Sequence, residues 1–377
     1  MIRPSKKSLL YSLSLGLKHV TVIKFSMLYF LLFFILFVRL INGSENLWNI
    51  TVNTSLGKNS QHFFPKTLPT LLSGNLTRYT GNPLVPLGPD SYDRFKTGPR
   101  VVLEEGPNKF SMWYEAVFGP NKSYVGYATS SDGINWTKRG IVLSPSEAWE
   151  GGADGEVSPN SIIVEGNIYK LWYHSYHNGH RRIGYATARR FGNAFFNSRL
   201  LKWRKHPTPV LDLGPPGSLD DQMVVEPRVF RVGNLYRMYY GAMRSTQQGV
   251  GVYRLMMATS SDGINWTKSG NSLFGPYDSG YAIIFENGMW HMWFGRSYQG
   301  LGYAWSKDGI SWQEGDNSVV LGINPDTNAP DSVGVGDSVS VYKAGNTYRI
   351  LYTGLRGYDP TTNTWPESIC MATITVP

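Results

Sequence analysis

ATSSDGINWTK fills residues 128–138 and returns, letter for letter, at 258–268. A looser copy, AWSKDGISWQE, runs from 304 to 314. Each copy reads as a strand ending at serine, a turn built on Asp-Gly, and a returning strand that carries Trp136, Trp266 or Trp312. Asp-Gly suits the turn because positive φ is needed there, and glycine adopts it without steric penalty. A fourth copy opens at Ile183-Gly184-Tyr185-Ala186-Thr187, with a longer insertion before Trp203, and a fifth at Cys370-Met371-Ala372-Thr373.

A second hairpin, also repeated, precedes each of these. It reads FSMWYEA (110–116), YKLWYHS (169–175), YRMYYGA (236–242), WHMWFGR (290–296) and YRILYTG (348–354). A turn stands before each, Gly106-Pro107-Asn108 in the first and Gly-Asn or Asn-Gly in the others, and an apolar strand precedes the turn. Four strands therefore recur five times, the pattern of propeller blades. A single blade cannot bury both faces, so the blades must stack around an axis. The expected fold is all-β: a five-bladed β-propeller over residues 79–377. A solenoid or a β-sandwich is the alternative, and a sandwich lacks this regular four-strand repeat.

Composition agrees. Aromatic residues make up 14% of the 377, which favours a large packed core over a loose chain. The formal charge of +9 is concentrated in the leader: residues 1–43 hold Arg3, Lys6, Lys7, Lys18, Lys24 and Arg39 and no acid. Without those six, 30 basic residues face 27 acidic ones, so no nucleic-acid partner is expected. Cys370 is the one cysteine, so no internal disulfide is available.

Met27 to Val38 is an unbroken apolar run behind positive charge. It is short for a membrane span, which needs about 20 residues, and suits a signal peptide. Residues 1–43 are expected to be a signal peptide or, if uncleaved, a signal anchor held by residues 25–41. Either way the rest reaches the lumenal or extracellular side, and a membrane is met only through this segment. Residues 44–78 read as a polar linker with glycosylation sequons at Asn49, Asn53 and Asn75, and Asn121, Asn135 and Asn265 begin later ones.

The five-fold repeat with Tyr-Ala-Thr-Ser-x-Asp-Gly-Ile-Asn-Trp and Tyr-x-Met-Trp-Tyr resembles the arabinanase/levansucrase/invertase superfamily, glycoside hydrolase families 32, 43, 68 and 130. The sialidase box, with a residue between Asp and Gly, does not match. The resemblance implies carboxylate chemistry on a poly- or oligosaccharide, without a cofactor.

Inner strands of a propeller begin around one mouth, and the antiparallel second strands end there. The inner starts read TGPRVV, EVSPNSI, VVEPRVF, DSGYAII and VGDSVSV. They yield Glu226 and Asp337, with Asp154 and Glu156 just before Ser158. Second-strand ends add Glu115, His174, Arg244, Arg296 and Arg356, and Arg100 and Arg228 follow the prolines. Glycoside hydrolysis needs two carboxyl groups, one to protonate the leaving oxygen and one to attack or activate water. The resemblance implies an Asp on blade one, an Asp on blade two and a Glu acid on blade three, which is Glu226. Gly98 and Ser158 stand where the first two would be, so Asp154, Glu115 or Asp337 is expected as partner. Arg100, Glu156, His174, Arg228, Arg244 and Arg296 are expected to hold the sugar. Asp93, Glu150, Asp220, Asp278 and Asp331 recur at every blade entrance, and repetition favours a structural duty. His174, His177 and His180 are spaced so that they would not point at one metal. Other readings are a non-catalytic glycan-binding propeller, a family 130-like phosphorylase, which an arginine-rich mouth would suit, and a protein-interaction propeller.

Overall fold

The computed structural model describes residues 76–375, apart from 90, 120–121, 191–200, 247–252, 278–279, 316–318 and 361–364. The expected leader, most of the linker, Asn121 and Asp278 lie outside these residues.

Among the described residues the chain is almost entirely strand. A short β1 (Thr77–Arg78) comes first. Five antiparallel units follow, each strand pairing with the next. The first is β2 (Lys96–Gly106), β3 (Lys109–Gly119), β4 (Lys122–Ser130) and β5 (Thr137–Leu143). The second is β6 (Glu156–Glu165), β7 (Ile168–His177), β8 (His180–Arg189) and β9 (Arg204–Lys205). The third is β10 (Met223–Val232), β11 (Leu235–Met243) and β12 (Tyr253–Ser260), edged by β13 (Thr267–Lys268) and β14 (Phe274–Tyr277). The fourth is β15 (Tyr281–Glu286), β16 (Met289–Gly295) and β17 (Gly300–Ser306), edged by β18 (Trp312–Glu314) and β19 (Leu321–Gly322). The fifth is β20 (Gly334–Ala344), β21 (Thr347–Leu355) and β22 (Glu367–Thr375). Its outer strand is β1, paired Thr77 to Thr373, so the start of the described chain completes the last unit. Leu76 joins the core as well, so structure begins ahead of the expected boundary at 79.

The apolar residues explain why the units form a ring. Buried side chains fall into five clusters, and each lies between two neighbouring units: first and second, second and third, third and fourth, fourth and fifth, fifth and first. Trp113 sits in the first of these, Trp172 in the next and Trp293 in the fourth. Each sheet thus buries its faces only against its neighbours.

The repeated Ser-x-Asp-Gly segment is a latch between units. Asp132 Oδ1 accepts the backbone N–H of Ile134 and Asn135, at 2.8 Å each, and Ser130 Oγ accepts that of Gly133. Asp262 and Asp308 repeat this geometry. The connection from β4 to β5 covers residues 131–136, longer than a two-residue hairpin, because the aspartate folds it over itself. The glycine carbonyl at its tip then accepts a hydrogen bond from the preceding unit: Gly263 from Trp172 Nε1, Gly309 from Tyr239 and Gly133 from Tyr342. At Gly263 φ is +81°, and a Cβ would meet Trp172 at 2.9 Å, so two constraints exclude other residues.

The recurring entrance acids are buried anchors. A second-strand tyrosine donates to each: Tyr114 to Asp93, Tyr173 to Glu150, Tyr240 to Asp220 and Tyr352 to Asp331. A cation near the outer edge pairs with each as well: Lys138, Lys205, Lys268 and Arg78. A carboxylate withdrawn from water needs such partners. In the fourth unit Phe294 replaces the tyrosine and Glu314 the cation.

Arg228 ties the centre. Its guanidinium donates to the carbonyls of Tyr281 (2.9 Å), Arg100 (3.0 Å), Val339 (2.8 Å) and Asn160, one from each of the other four inner strands. Burial without a carboxylate bonded to it pulls this guanidinium down to about 10.

Candidate functional site

Four inner strands carry a β-bulge at the same level. The register shifts between Pro99 and Val101, Pro159 and Ser161, Val225 and Arg228, and Gly336 and Val339. Among the residues set free from the ladder are Arg100, Asn160, Glu226 and Asp337. A bulge re-aims a side chain, and here all four serve one charged cluster. Seven described non-glycine residues have positive φ. Asn108, Asn178 and Asn287 are turn asparagines, which tolerate it. The others are Glu226 (55°), Asp337 (60°), Ser297 (48°) and Tyr298 (60°). Strained backbone is thus concentrated at the cluster. Ser297 and Tyr298 are the central residues of the β16–β17 hairpin, closed by Gln299 N–H donating to the Arg296 carbonyl at 2.8 Å, where Asn-Gly is the ordinary choice.

The core of the cluster is Arg100. It donates to Glu226 Oε1 at 3.0 Å through one terminal nitrogen and to Glu115 Oε2 at 2.9 Å through the other. Two carboxylates on one planar guanidinium lie at most about 8 Å apart. Glu226 Oε2 accepts the Gly280 N–H at 3.1 Å, and the Glu226 carbonyl accepts the Tyr281 hydroxyl. Both carboxylate oxygens of Glu226 are therefore acceptors. Burial opposes ionisation of Glu115, but Arg100 and Lys96 overcome it and hold its carboxyl well below the usual range.

Lys96 is the second cation. Its ammonium bonds Asp337, lies 3.5 Å from Glu115 Oε2 and 3.3 Å from Glu367 Oε2. Burial works against the charge on Asp337, and Lys96 and Arg100 prevail and lower its pKa. Tyr298 is hydrogen-bonded to the same carboxylate, whose charge, with burial, pushes the phenol well up. Glu367 goes the other way: burial, with Asp337 beside it and against the pull of Lys96, raises it to about 7. Accessibility is graded. Side-chain exposure is 6% for Glu226 and 8% for Glu115, against 20% for Asp337 and 18% for Glu367.

His174 stands beside the cluster, buried in the second unit. Arg181 donates to its Nε2 at 2.9 Å, so the ring proton is on Nδ1 and goes to Asn160 Oδ1, also at 2.9 Å. Burial, then Arg181 and Arg100, holds this imidazole neutral, well below its ordinary pKa. Arg181 lies 3.7 Å from Glu156, which burial raises. Buried Ser158 Oγ, Asn160 Nδ2 and Arg100 Nε have no hydrogen-bond partner, so the site holds unused polar atoms.

Of the residues expected from sequence, Arg100, Glu115, Glu226 and Asp337 meet in the cluster, with His174 and Glu156 beside it. Asp154 lies apart in a 3₁₀ turn, its side chain 90% exposed and paired with Lys122. Arg244 donates to the Ser218 carbonyl and Arg296 pairs with Glu314. Arg228 spends its donors on the inner-strand carbonyls. His177 and His180 turn to other neighbours, His180 to the Gln222 carbonyl.

Sequence reasoning missed Lys96, Glu367, Tyr298 and Arg181. A third strand runs parallel to the first, so it too begins at the mouth. β22 starts at Glu367, opposite Lys96 in a parallel bridge, and Arg181, the second residue of β8, lies opposite Met223. Gly98 also becomes intelligible. A Cβ there would meet Glu115 Oε2 and Ser338 Oγ at 3.0 Å each. The carboxylate of Glu115 occupies the space into which a residue 98 side chain would grow.

The model of the glycosyl hydrolases family 32 N-terminal domain matches residues 109–290. A solved glycoside hydrolase superposes with a TM-score of 0.62 at 15% identity, over 80% of this chain and 91% of its own. The fold is that of the glycoside-hydrolase-like β-propellers. A structure described under the heading of the GH130 mannoside phosphorylases, containing glycoside hydrolases that target β-1,2 mannosidic linkages in Candida mannan, gives 0.55 at 18%, over 82% and 98%. A thermostable family-43 glycoside hydrolase gives 0.54 at 17%, over 76% and 90%. An uncharacterised protein from two Mycobacterium tuberculosis strains is 26% identical over 137 residues, 33% of this chain, and the match spans 44% of those relatives. At these identities the likeness to solved structures is one of fold.

Proposed function

We propose that this chain is a five-bladed propeller enzyme that cleaves glycosidic bonds in an oligo- or polysaccharide by carboxylate acid/base chemistry at the mouth of its inner strands. The observation that carries this reading is the convergence of Glu115, Glu226, Asp337 and Glu367, from three units, around Arg100 and Lys96. Glycoside hydrolysis requires carboxyl groups roughly 5–9.5 Å apart, and two bound to one guanidinium fall in or near that range. In this reading Glu226 and Glu115 are both held by the Arg100 guanidinium. They serve as the base or nucleophile and stabilise positive charge as the glycosidic bond breaks. Asn160 Nδ2 and Ser158 Oγ, which have no partner within the protein, supply hydrogen bonds to sugar hydroxyls, and His174, bonded to Asn160 and Arg181, positions Asn160.

A second reading, a glycan-binding propeller without turnover, is favoured by Gly98 and Ser158, which stand where the resemblance implies aspartates. One assay separates the two. Purified wild type and Glu226→Gln are given aryl glycosides, polysaccharides and β-1,2-mannosides, with and without inorganic phosphate. Turnover by wild type and its loss in the variant support the enzyme, and dependence on phosphate assigns a phosphorylase. A glycan array that binds with no turnover replaces the enzyme reading by the binding one.

We also propose that residues 1–43 deliver the chain to the secretory pathway and that Asn49, Asn53 and Asn75 are glycosylated there. Expression with microsomes followed by amidase deglycosylation tests this, and an unchanged mobility would refute it.

A further inference from the structure

We propose that Glu367, which opens the last strand, is the group that gives its proton to the leaving oxygen in this site, with Asp337 and Lys96 as its positioning residues. This rests on the glycoside-cleaving reading above and assigns the acid within it.

Counting charge leads there. Four carboxyls, Glu115, Glu226, Asp337 and Glu367, share two cations, Lys96 and Arg100. A cluster of like charges sheltered from water keeps a proton in place of a missing cation. Each of the other three carboxyls has donors of its own. Glu226 accepts N–H groups at both oxygens. Glu115 is bonded to Arg100, and Asp337 to Lys96. Glu367 Oε2, by contrast, is buried without a well-formed hydrogen bond, and the Lys96 ammonium 3.3 Å away is shared with Asp337 and Glu115. A carboxylate oxygen in that position is costly, and a neutral carboxyl is not. The groups facing it agree: Lys96 on β2, Glu115 on β3, Asp337 on β20 and Tyr298 in the β16–β17 turn. The rise of its pKa to about 7 follows from this environment and places it in the range useful for an acid at neutral pH.

Position fits as well. Glu367 is two to three times as exposed as Glu115 or Glu226, so a sugar entering the mouth meets it before them. Its Oε2 and that of Glu115 both contact the Lys96 ammonium, so they are at most about 7 Å apart, the spacing of an acid and its partner. In the step, the Glu367 O–H bond breaks and its proton goes to the glycosidic oxygen as the bond from that oxygen to the anomeric carbon breaks. Water forms the new bond to that carbon and gives its proton to Glu115 or Glu226. Exchange with solvent returns Glu367 to its acid form.

The experiment compares wild type, Glu367→Gln and Asp337→Asn on glycosides with poor and with good leaving groups, and follows carboxyl titration by carbon-13 NMR without any sugar. The expected result is a carboxyl titrating near 7 that vanishes in Glu367→Gln. That variant loses roughly 10²–10⁴-fold on poor leaving groups and far less on a dinitrophenyl glycoside, which needs no proton. Asp337→Asn shifts the alkaline limb of the rate profile to lower pH. The proposal is overturned if no carboxyl titrates above pH 6, or if Glu367→Gln loses equally on both leaving groups. Wild type inactive on every glycoside, with the titration intact, sinks the cleavage reading and the donor role with it. A missing titration in an active enzyme sinks the donor role alone.

Discussion

Replacing Arg100 by Met is the sharpest perturbation of the cluster. Methionine fills a similar volume, so the change removes charge more than it opens space. Glu115 and Glu226 would remain buried with no guanidinium between them. Removing one partner of a buried ion pair costs about 3–5 kcal/mol, because the other charge is left uncompensated. For a domain of this size that is a fall in Tm of roughly 5–8 °C. The pH dependence gives a second readout. In wild type the Glu115 carboxyl is held below its unfolded value of 4.5. Its stabilising contribution is present above that value and is lost only as pH falls through the depressed folded pKa. Without Arg100, burial dominates and the folded pKa of Glu115 rises above 4.5. The native variant then binds more protons than the unfolded chain, so its stability recovers as pH falls. The gap to wild type should therefore narrow between pH 8 and pH 5. Equilibrium urea unfolding followed by tryptophan fluorescence measures both. Lys122→Met, which breaks the exposed pair with Asp154, is the control and should leave the midpoint unchanged. A loss below about 1 kcal/mol, or a gap that stays constant with pH, would refute the reasoning.

Three further outcomes are expected. Glu367→Gln should be more stable than wild type at pH 8, on the order of 2–3 kcal/mol, and equal to it at pH 4. The raised folded pKa makes the Glu367 contribution complete below 4.5 and lost as pH rises through about 7, which the same urea series would show. Tyr298→Gly relieves left-handed backbone by about 1 kcal/mol but removes the ring and its hydrogen bond to Asp337, so stability should fall by about 1–2 kcal/mol, while glycoside turnover falls; scanning calorimetry beside the activity assay checks the pair. Gly263→Ala should cost about 1–2 kcal/mol, since φ is +81° and the new methyl meets Trp172 at 2.9 Å, yet leave the activity per folded molecule intact.

The architecture could be read from the chain because the repeat is also the latch. Asp132 and Asp262 fold the same turn, and its glycine must approach an aromatic residue of the neighbouring unit, so the letters are held constant. The anchoring acids were legible by the same logic, since Asp93 and Asp220 recur with Tyr114 and Tyr240. Nothing in the sequence marked Thr77 and Arg78 as the outer strand of the last unit, because two residues carry no period. The mouth was legible in part. Glu226, Asp337 and Arg100 interrupt the strand pattern beside Pro227, Ser338 and Pro99, and that interruption is the bulge. Glu367 interrupts nothing: it is an ordinary first residue of a strand, made exceptional by Lys96 and Asp337 from elements far away in the chain. Tyr298 left a fainter trace, a bulky residue where a two-residue hairpin asks for glycine. The notion that Asp154 serves the mouth followed from its nearness in sequence to Glu156. Two left-handed glycines, Gly151 and Gly152, lead into the exposed turn that carries it.

The account stands on one physical claim: strand ends from separate units gather acidic groups at a single opening where a sugar is received. A crystal structure of Glu226→Gln soaked with an oligosaccharide that the wild type binds tests it most directly. The account predicts a glycosidic oxygen within hydrogen-bond reach of Glu367, and sugar hydroxyls on Asn160 and Ser158. Sugar seated instead in the outer groove formed by His206, Pro209 and Trp266, with the mouth empty at saturation, would contradict it.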